Sequence, residues 1–316
     1  MGLFSVSIDL DELRCYSEIH GLADPELAAR RTIYERAVPR ALRFFEELSV
    51  PATWFAGGRD LDGNPAAAEV LREAARRGGE IANHTMGHRY DLTMMPDAAM
   101  RGEIIAGADA IAATVGVAPR GFRAPGYNVN KGLTDALADL GYTYDSSVFP
   151  CPTYLAARAA AIAAKTALGR HSASLVGDPR MALAPTAPYR ISENNPFAEG
   201  QGPEPVEGQG LVELPITVVT RARLPFIGTA LTAAGPLGAG LLAKRTVGIG
   251  FVNLELHGID FADADTDDLR VLAKHQPDLR IPLAKKLAAL ERACKTLLDA
   301  GAQPLTLLDA ARRLFV

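Results

Sequence analysis

Short β-like apolar runs alternate with stretches of helical spacing along most of this chain, the pattern of βα units around a mainly parallel sheet. Residues 3–10 read as a first strand. Residues 34–48 place Ala37, Ala41, Leu42, Phe44, Phe45 and Leu48 at helical spacing, and residues 52–56 read as the next strand. Residues 65–77 predict a second helix closed by Gly78-Gly79 as a C-cap, and residues 80–83 a short strand. A helix over 96–115, a strand end at 121–123, a helix over 130–140 ended by Gly141 and a strand over 142–145 continue the alternation. It breaks between 149 and 210. There an Ala-rich helical piece, 155–167, precedes a Pro, Gly and Asn-rich stretch without predicted elements, read as an insertion after the fifth strand. Strands at 211–219 and 248–256, a helix over 282–300 and a closing segment at 304–315 restore the pattern.

One segment interrupts this picture. Residues 224–242 carry no charge except at their flanks but contain Pro225, Pro236 and four glycines. They read as a buried or interfacial apolar segment rather than a bilayer span, one suited to a lipid-linked substrate. A chain of 316 residues with 48% hydrophobic and 22% charged residues is long enough and apolar enough to bury a full core. A net charge of -4 argues against a large basic surface for gripping nucleic acid, and no nucleic-acid motif is present. Cys15, Cys151 and Cys294 are odd in number and widely spaced, which reads as reduced structural thiols. The N-terminus runs into a strand pattern without a secretory signal, so the expected location is the cytoplasm, and Val6 speaks against myristoylation.

Four clusters carry candidate chemistry. His84-Thr85-Met86-Gly87-His88 follows a predicted strand, and on one helical turn its two imidazoles would project to the same side. They suit a borderline divalent cation, with a third ligand to come from elsewhere; a histidine pair at a helix start is the plainer alternative. Asp9-Leu10-Asp11 ends the first strand with two carboxylates on one side. Such a pair can divide metal binding from proton acceptance, or be a solvated strand end with a helix-capping Asp. Arg123-Ala124-Pro125-Gly126-Tyr127 places an Arg able to hold a carboxylate ionised beside a tight turn. His257 ends the last clear strand in Leu254-Glu255-Leu256-His257-Gly258. Glu12 adjoins the Asp pair, but its odd offset turns it away. Trp54 and Tyr127 could stack on a sugar, although a lone aromatic in a strand is usually core. His20 reads as a loop histidine, and His171 and His275 as surface residues.

In this order, each at the C-terminal end of a predicted strand, the four clusters resemble the NodB-type polysaccharide deacetylase family, carbohydrate esterase 4-like, over most of the chain. Pro51-Ala52-Thr53-Trp54-Phe55 followed by Gly57 is similar to the family's second strand. The resemblance implies an α/β fold of the distorted (β/α)7-type barrel kind, with residues 1–316 forming a single domain and the insertion at about 149–210. It implies Asp9 as catalytic base, Arg123 as its partner, and His257 as general acid. It implies Asp11, His84 and His88 as ligands of one divalent metal, zinc first, with cobalt, nickel, iron or manganese as alternatives. Pro125, Gly126, Tyr127, Trp54 and Asp145 become candidate substrate contacts.

Two departures from the family's pattern are visible. Leu10 separates two Asp residues that are adjacent in many members. The D-x-D form resembles a branch that includes cytoplasmic peptidoglycan-deacetylase-like proteins and the deformylase of lipid-linked aminoarabinose. The usual Asp-Trp fourth motif is absent, and Tyr144-Asp145-Ser146-Ser147 stands in that region, which leaves Asp145 or Glu213 to orient His257. The implied activity is hydrolysis of an N-acetyl or N-formyl amide on an amino sugar. A cytoplasmic location favours a nucleotide- or polyprenyl-linked substrate, with peripheral contact at the inner face of the membrane. A cyclic-amide hydrolase of the allantoin type and a catalytically silent carbohydrate-binding protein on the same fold are the rival readings.

Overall fold

The structure, a computed structural model, describes residues 2–25, 31–167, 169, 172–200 and 210–315. Its centre is a curled, half-barrel sheet. Strand β1 (Leu3–Asp9) lies between β11 (Phe251–His257) and β2 (Ala52–Ala56), and the order continues through β3 (Glu80–Asn83), β4 (Gly121–Phe122), β5 (Tyr144–Asp145) and β8 (Val212–Glu213), all parallel. Parallel strands need crossovers, and helices supply them on the outer face: α2 (Val38–Glu47), α3 (Pro65–Arg76), α4 (Asp97–Val115), α5 (Lys131–Asp139), α7 (Gly228–Thr246) and α8 (Leu283–Asp299). The sheet curls until its ends nearly meet, where the Thr217 amide donates to the Asn253 carbonyl at 3.1 Å.

Period-two alternation sorts each strand. In β1, Phe4, Val6 and Ile8 join the outer core with Trp54, Leu71, Leu254 and Leu290, while Ser5, Ser7 and Asp9 share the opposite face. Each fully buried aliphatic or aromatic side chain of this layer contributes about 1.5–3 kcal/mol. Trp54, expected as a sugar contact, is therefore a core residue, 1% exposed.

The expected elements appear nearly where the periodicity puts them, with four physical corrections. The helix of residues 34–48 opens as a wide π turn, Ile33–Ala37, in which the Val38 amide donates to the Ile33 carbonyl. Pro39 lacks an N–H and crowds the Glu35 carbonyl, so an ordinary first turn is blocked. Residues 211–219 do not form one strand. Pro215 cannot serve the ladder, and Val218–Val219 (β9) pairs antiparallel with Leu224–Pro225 (β10) instead. His20 is not in a loop but ends helix α1 (Leu13–His20), stopped by Gly21 at φ 63°.

The region after residue 149 also holds more structure than its composition suggested. Helix α6 (Pro152–Ala167) and a hairpin of β6 (Tyr189–Ser192) and β7 (Asn195–Glu199) occupy it, and β6 covers the edge of β8. His171 lies outside the described residues. Of residues 224–242, most belong to α7, kinked at Gly235-Pro236. Among the described residues no helix is long and apolar enough to cross a membrane. All three cysteines are buried and free.

Candidate metal and catalytic site

The functional side chains gather where the parallel strands end, because register and alternation leave them no other place. Asp9 stands opposite His257 in the β1–β11 register, and Asn83 opposite Phe122, so the residues that follow, His84 and Arg123, are neighbours at the rim. Beyond β1 the Glu12 carboxyl accepts the amides of Leu13, Ile33 and Tyr34 at 3.1–3.3 Å. That bonding pins the turn carrying Asp11. Burial raises the Glu12 carboxyl to about 8.

The His84–His88 segment is not a helical turn. It is a loop in which Thr85 and His88 hold left-handed backbone angles, φ 68° and 53°. Asn83 Oδ1 accepts the Thr85 amide, Thr85 Oγ1 accepts the His88 amide, and Glu103 on α4 accepts the amides of Met86 and Gly87. Gly107 allows α4 to approach this closely, since a Cβ there would sit 2.6 Å from Asn83 Oδ1. The two imidazoles thus converge through loop strain held by hydrogen bonds, with ring centroids 4.9 Å apart.

Asp11, His84 and His88 present ligand atoms within 4.8 Å of one another. His84 Nδ1 donates to the Arg123 carbonyl at 2.7 Å, which fixes the tautomer and leaves Nε2 as the free base, 3.4 Å from Asp11 Oδ1. His88 Nε2 lies 2.9 Å from the same oxygen. Yet these approaches lack hydrogen-bond geometry, so Asp11 Oδ1 and both His88 ring nitrogens are buried without making a hydrogen bond. Leaving such groups unpaired costs about 1–3 kcal/mol each, and a convergent set of two imidazoles and one carboxylate is what a divalent cation satisfies. The residues fit the metal that the family resemblance implies.

Behind them runs a closed network. Arg123, fully buried, donates to Asp9 Oδ1 at 2.6 Å, to the Ser146 carbonyl at 2.7 Å, to Ser7 Oγ at 2.8 Å and to Ser146 Oγ at 2.9 Å, and its guanidinium lies 4.2 Å over the Phe55 ring. Such an Arg both holds and orients a carboxylate.

His257 directs Nε2 towards Asp11, 3.7 Å away, while Nδ1 meets Glu255 Oε1 at 2.8 Å. Burial disfavours its charge, but the Glu255, Asp11 and Asp9 carboxyls outweigh this and shift the imidazole well above its ordinary value. Glu255, not Asp145 or Glu213, is thus the residue that orients His257. The reason is local: residues two apart on a strand share a face, and Glu-x-His at 255–257 was the signal in the sequence. Asp145 and Glu213 face each other in the β5–β8 register, fully buried. Burial raises both carboxyls. Asp145, which accepts from the Ser147 hydroxyl, is part of the wall rather than a substrate contact.

Of the remaining candidates, Pro125 and Tyr127 are buried beside the site and Gly126 is half-buried with φ 63°. Tyr127 packs edge-on to Phe149 and Tyr154 at 6.0 Å each. The structure adds Ser7, Ser146, Asn253 and Glu255 to the site; apart from Glu255, their polar atoms were indistinguishable in the sequence from ordinary strand residues.

A curled parallel sheet with a buried Asp-His-His cluster and an Arg-held Asp at its C-terminal rim is the architecture of the polysaccharide deacetylase fold. Comparison with known proteins agrees. Residues 32–144 match the family model for polysaccharide deacetylase. A peptidoglycan deacetylase of Helicobacter pylori (strain ATCC 700392 / 26695) is 25% identical over 150 residues, 46% of this chain and 49% of its own length, so the match spans about half of that curated relative. Two solved structures share the fold. A candidate polysaccharide deacetylase of Mycobacterium smegmatis has a TM-score of 0.58 and 20% identity, covering 99% of this chain and 90% of its own. One of Pseudomonas aeruginosa PAO1 has a TM-score of 0.59 and 15% identity, covering 98% and 89%. Residues 32–144 thus resemble the polysaccharide deacetylase family, and the chain shares the fold of the two solved structures.

Proposed function

We propose that this protein hydrolyses an N-acyl amide on an amino sugar with the help of one divalent metal held by Asp11, His84 and His88. The observation that carries this reading is the convergence of the buried Asp11, His84 and His88 ligand atoms with His257 and an Arg-held Asp9 around one small space. Zinc suits the two-imidazole, one-carboxylate set best, with cobalt, nickel, iron and manganese as alternatives. When bound, such a cation polarises an amide carbonyl and acidifies water.

The protein's own residues supply the proton transfers. Arg123 fixes Asp9 with one carboxylate oxygen engaged, and Asp9 accepts a proton from the attacking water. His257, kept protonated and aimed by Glu255, gives a proton from Nε2 to the leaving amine. Without that proton the amine is a very poor leaving group. Arg123, Ser7 and Ser146 are fully buried, so solvent is excluded behind Asp9.

Elemental analysis combined with amine release from a panel of N-acetyl and N-formyl sugars tests the reading. About one ion per chain is expected. Asp9→Asn should lose turnover by about 10²- to 10⁴-fold while keeping the metal. Bound metal with no amine released from any sugar overturns the sugar-amide assignment.

A further inference from the structure

We infer that Asp9, Glu255 and His257 form a second, weaker site for a divalent cation beside the Asp11, His84 and His88 group, and that a cation seated there arrests hydrolysis. The site stands on its own geometry, while the arrest rests on the amide-hydrolase reading above.

The strands bring these three side chains together. Asp9 and His257 face each other in the β1–β11 register, and Glu255, two residues earlier on β11, shares the face of His257. One ligand atom from each lies within 4.8 Å of the other two, the same convergence as in the first group. Two carboxylates and an imidazole suit zinc or a similar borderline cation.

A second observation points the same way. Glu255, 1% exposed, has its Oε1 buried without a hydrogen bond, although His257 Nδ1 is 2.8 Å away. Asp11 Oδ1 is in the same state beside His88. In both groups a buried carboxylate oxygen meets an imidazole and is left with a free electron pair, which is costly unless a cation takes it. The His257 side chain, 26% exposed, keeps this second group in contact with solvent, whereas the first is buried throughout.

Charge sets the order of filling. Asp9, Asp11 and Glu255 carry three negative charges, which Arg123 and one divalent cation cancel. A second cation therefore enters a rim that is already neutral, close to the first, since His257 Nε2 lies 3.7 Å from Asp11 Oδ2. Hydrolytic sites do hold two divalent ions about 3.5–4 Å apart, but here the second gains less attraction for the same loss of hydration. It binds only when free cation is in excess, and dialysed protein keeps one ion. Once bound, it occupies the electron pairs that proton transfer needs. An Asp9 oxygen spent on a cation no longer accepts a proton from water, and a coordinated imidazole cannot hold the second proton that makes it an acid.

The test titrates full-length protein with zinc alone, counting bound ions by equilibrium dialysis and elemental analysis, and follows amine release from N-acyl sugars over the same series. Bound zinc should rise from about one ion per chain to about two at high free zinc. Amine release should peak at the first ion and fall by about 10²-fold or more as the second loads. Glu255→Gln and Asp9→Asn should each keep the first ion and lose the second, and the residual turnover of Glu255→Gln should no longer fall in excess zinc. A single ion across the whole range would overturn the site, as would a second ion retained by both variants. Two ions with undiminished amine release would overturn the arrest. Amine release from no sugar at any zinc concentration would sink the sugar-amide reading itself, while the ion counts still decide the second site.

Discussion

Two halves of one pocket are built by opposite rules. Around Arg123 the hydrogen-bond groups close on one another: its guanidinium is shared among Asp9, Ser7 and Ser146, and Ser146 Oγ in turn donates to the Leu214 carbonyl. Around Asp11 the buried atoms converge without closing hydrogen bonds, as one carboxylate oxygen and the His88 nitrogens make none. A closed network gives rigidity and a fixed charge pair, whereas an open one keeps valence for something the chain does not itself provide. In the proposed reaction the rigid half would hold the base in place, and the open half would bind the metal.

Breaking each half should therefore fail differently. The largest effect is expected from His84→Ala, which removes a donor from the open half. Metal content should fall towards zero and amide turnover by about a thousandfold or more, as several kcal/mol of charge stabilisation is lost. Stability of the metal-free protein should change far less, and urea unfolding beside elemental analysis checks both.

Next comes Arg123→Met in the closed half. Removing one partner of a buried ion pair leaves Asp9 uncompensated, with an expected loss of about 3–5 kcal/mol in unfolding free energy. Activity should fall together with stability, while any folded fraction still binds metal. A variant as stable as the parent would show that the two halves are not distinct in kind.

A smaller and more selective effect is expected where the halves meet. Glu255→Gln keeps the shape beside His257 but removes the charge that favours its protonated form. Hydrolysis of an amide, whose amine must be protonated to leave, should slow by about 10²-fold or more. An activated aryl ester, whose leaving group needs no proton, should react at nearly the parental rate. Equal slowing of both would remove the general-acid role from His257.

The smallest effect lies at the far end of β3, outside both halves. Burial raises Glu80 to about 7, against hydrogen bonds from the Leu308 amide, the Tyr144 hydroxyl and the Thr53 hydroxyl that favour its ionised form. Because the folded-state value lies above the unfolded one, the folded protein binds the extra proton. Its contribution is complete below the ordinary glutamate value and is lost as pH rises through about 7. Thermal unfolding of Glu80→Gln across that range should show a flatter pH profile than the parent, with metal binding unchanged.

How much of this was legible in the sequence differs between elements. Strands 52–56 and 80–83 fall on their expected boundaries because turn residues, Pro51 and Gly57 around the first and Gly78-Gly79 before the second, bracket segments too short for a helix. The region after residue 149 was opaque because the β6–β7 hairpin gains its stability from pairing with the edge of β8, a partner distant in sequence. Helix α1 was missed because its hydrophobic face is short and its N-terminal turn depends on Glu12 capping the Leu13 amide.

The candidate site divides in the same way. By itself the sequence determined which residue types stand at the strand ends, that Asp9 and Asp11 share a side, and that an Arg and a late His belong to the same rim. These follow from local periodicity, which needs no knowledge of neighbours. Only the tertiary structure decided that His84 and His88 converge through a strained loop rather than a helical turn, that Glu255 rather than Asp145 or Glu213 serves His257, and that Trp54 lies in the core. Each of those depends on register, curl and burial, which are set by contacts between segments far apart in the chain.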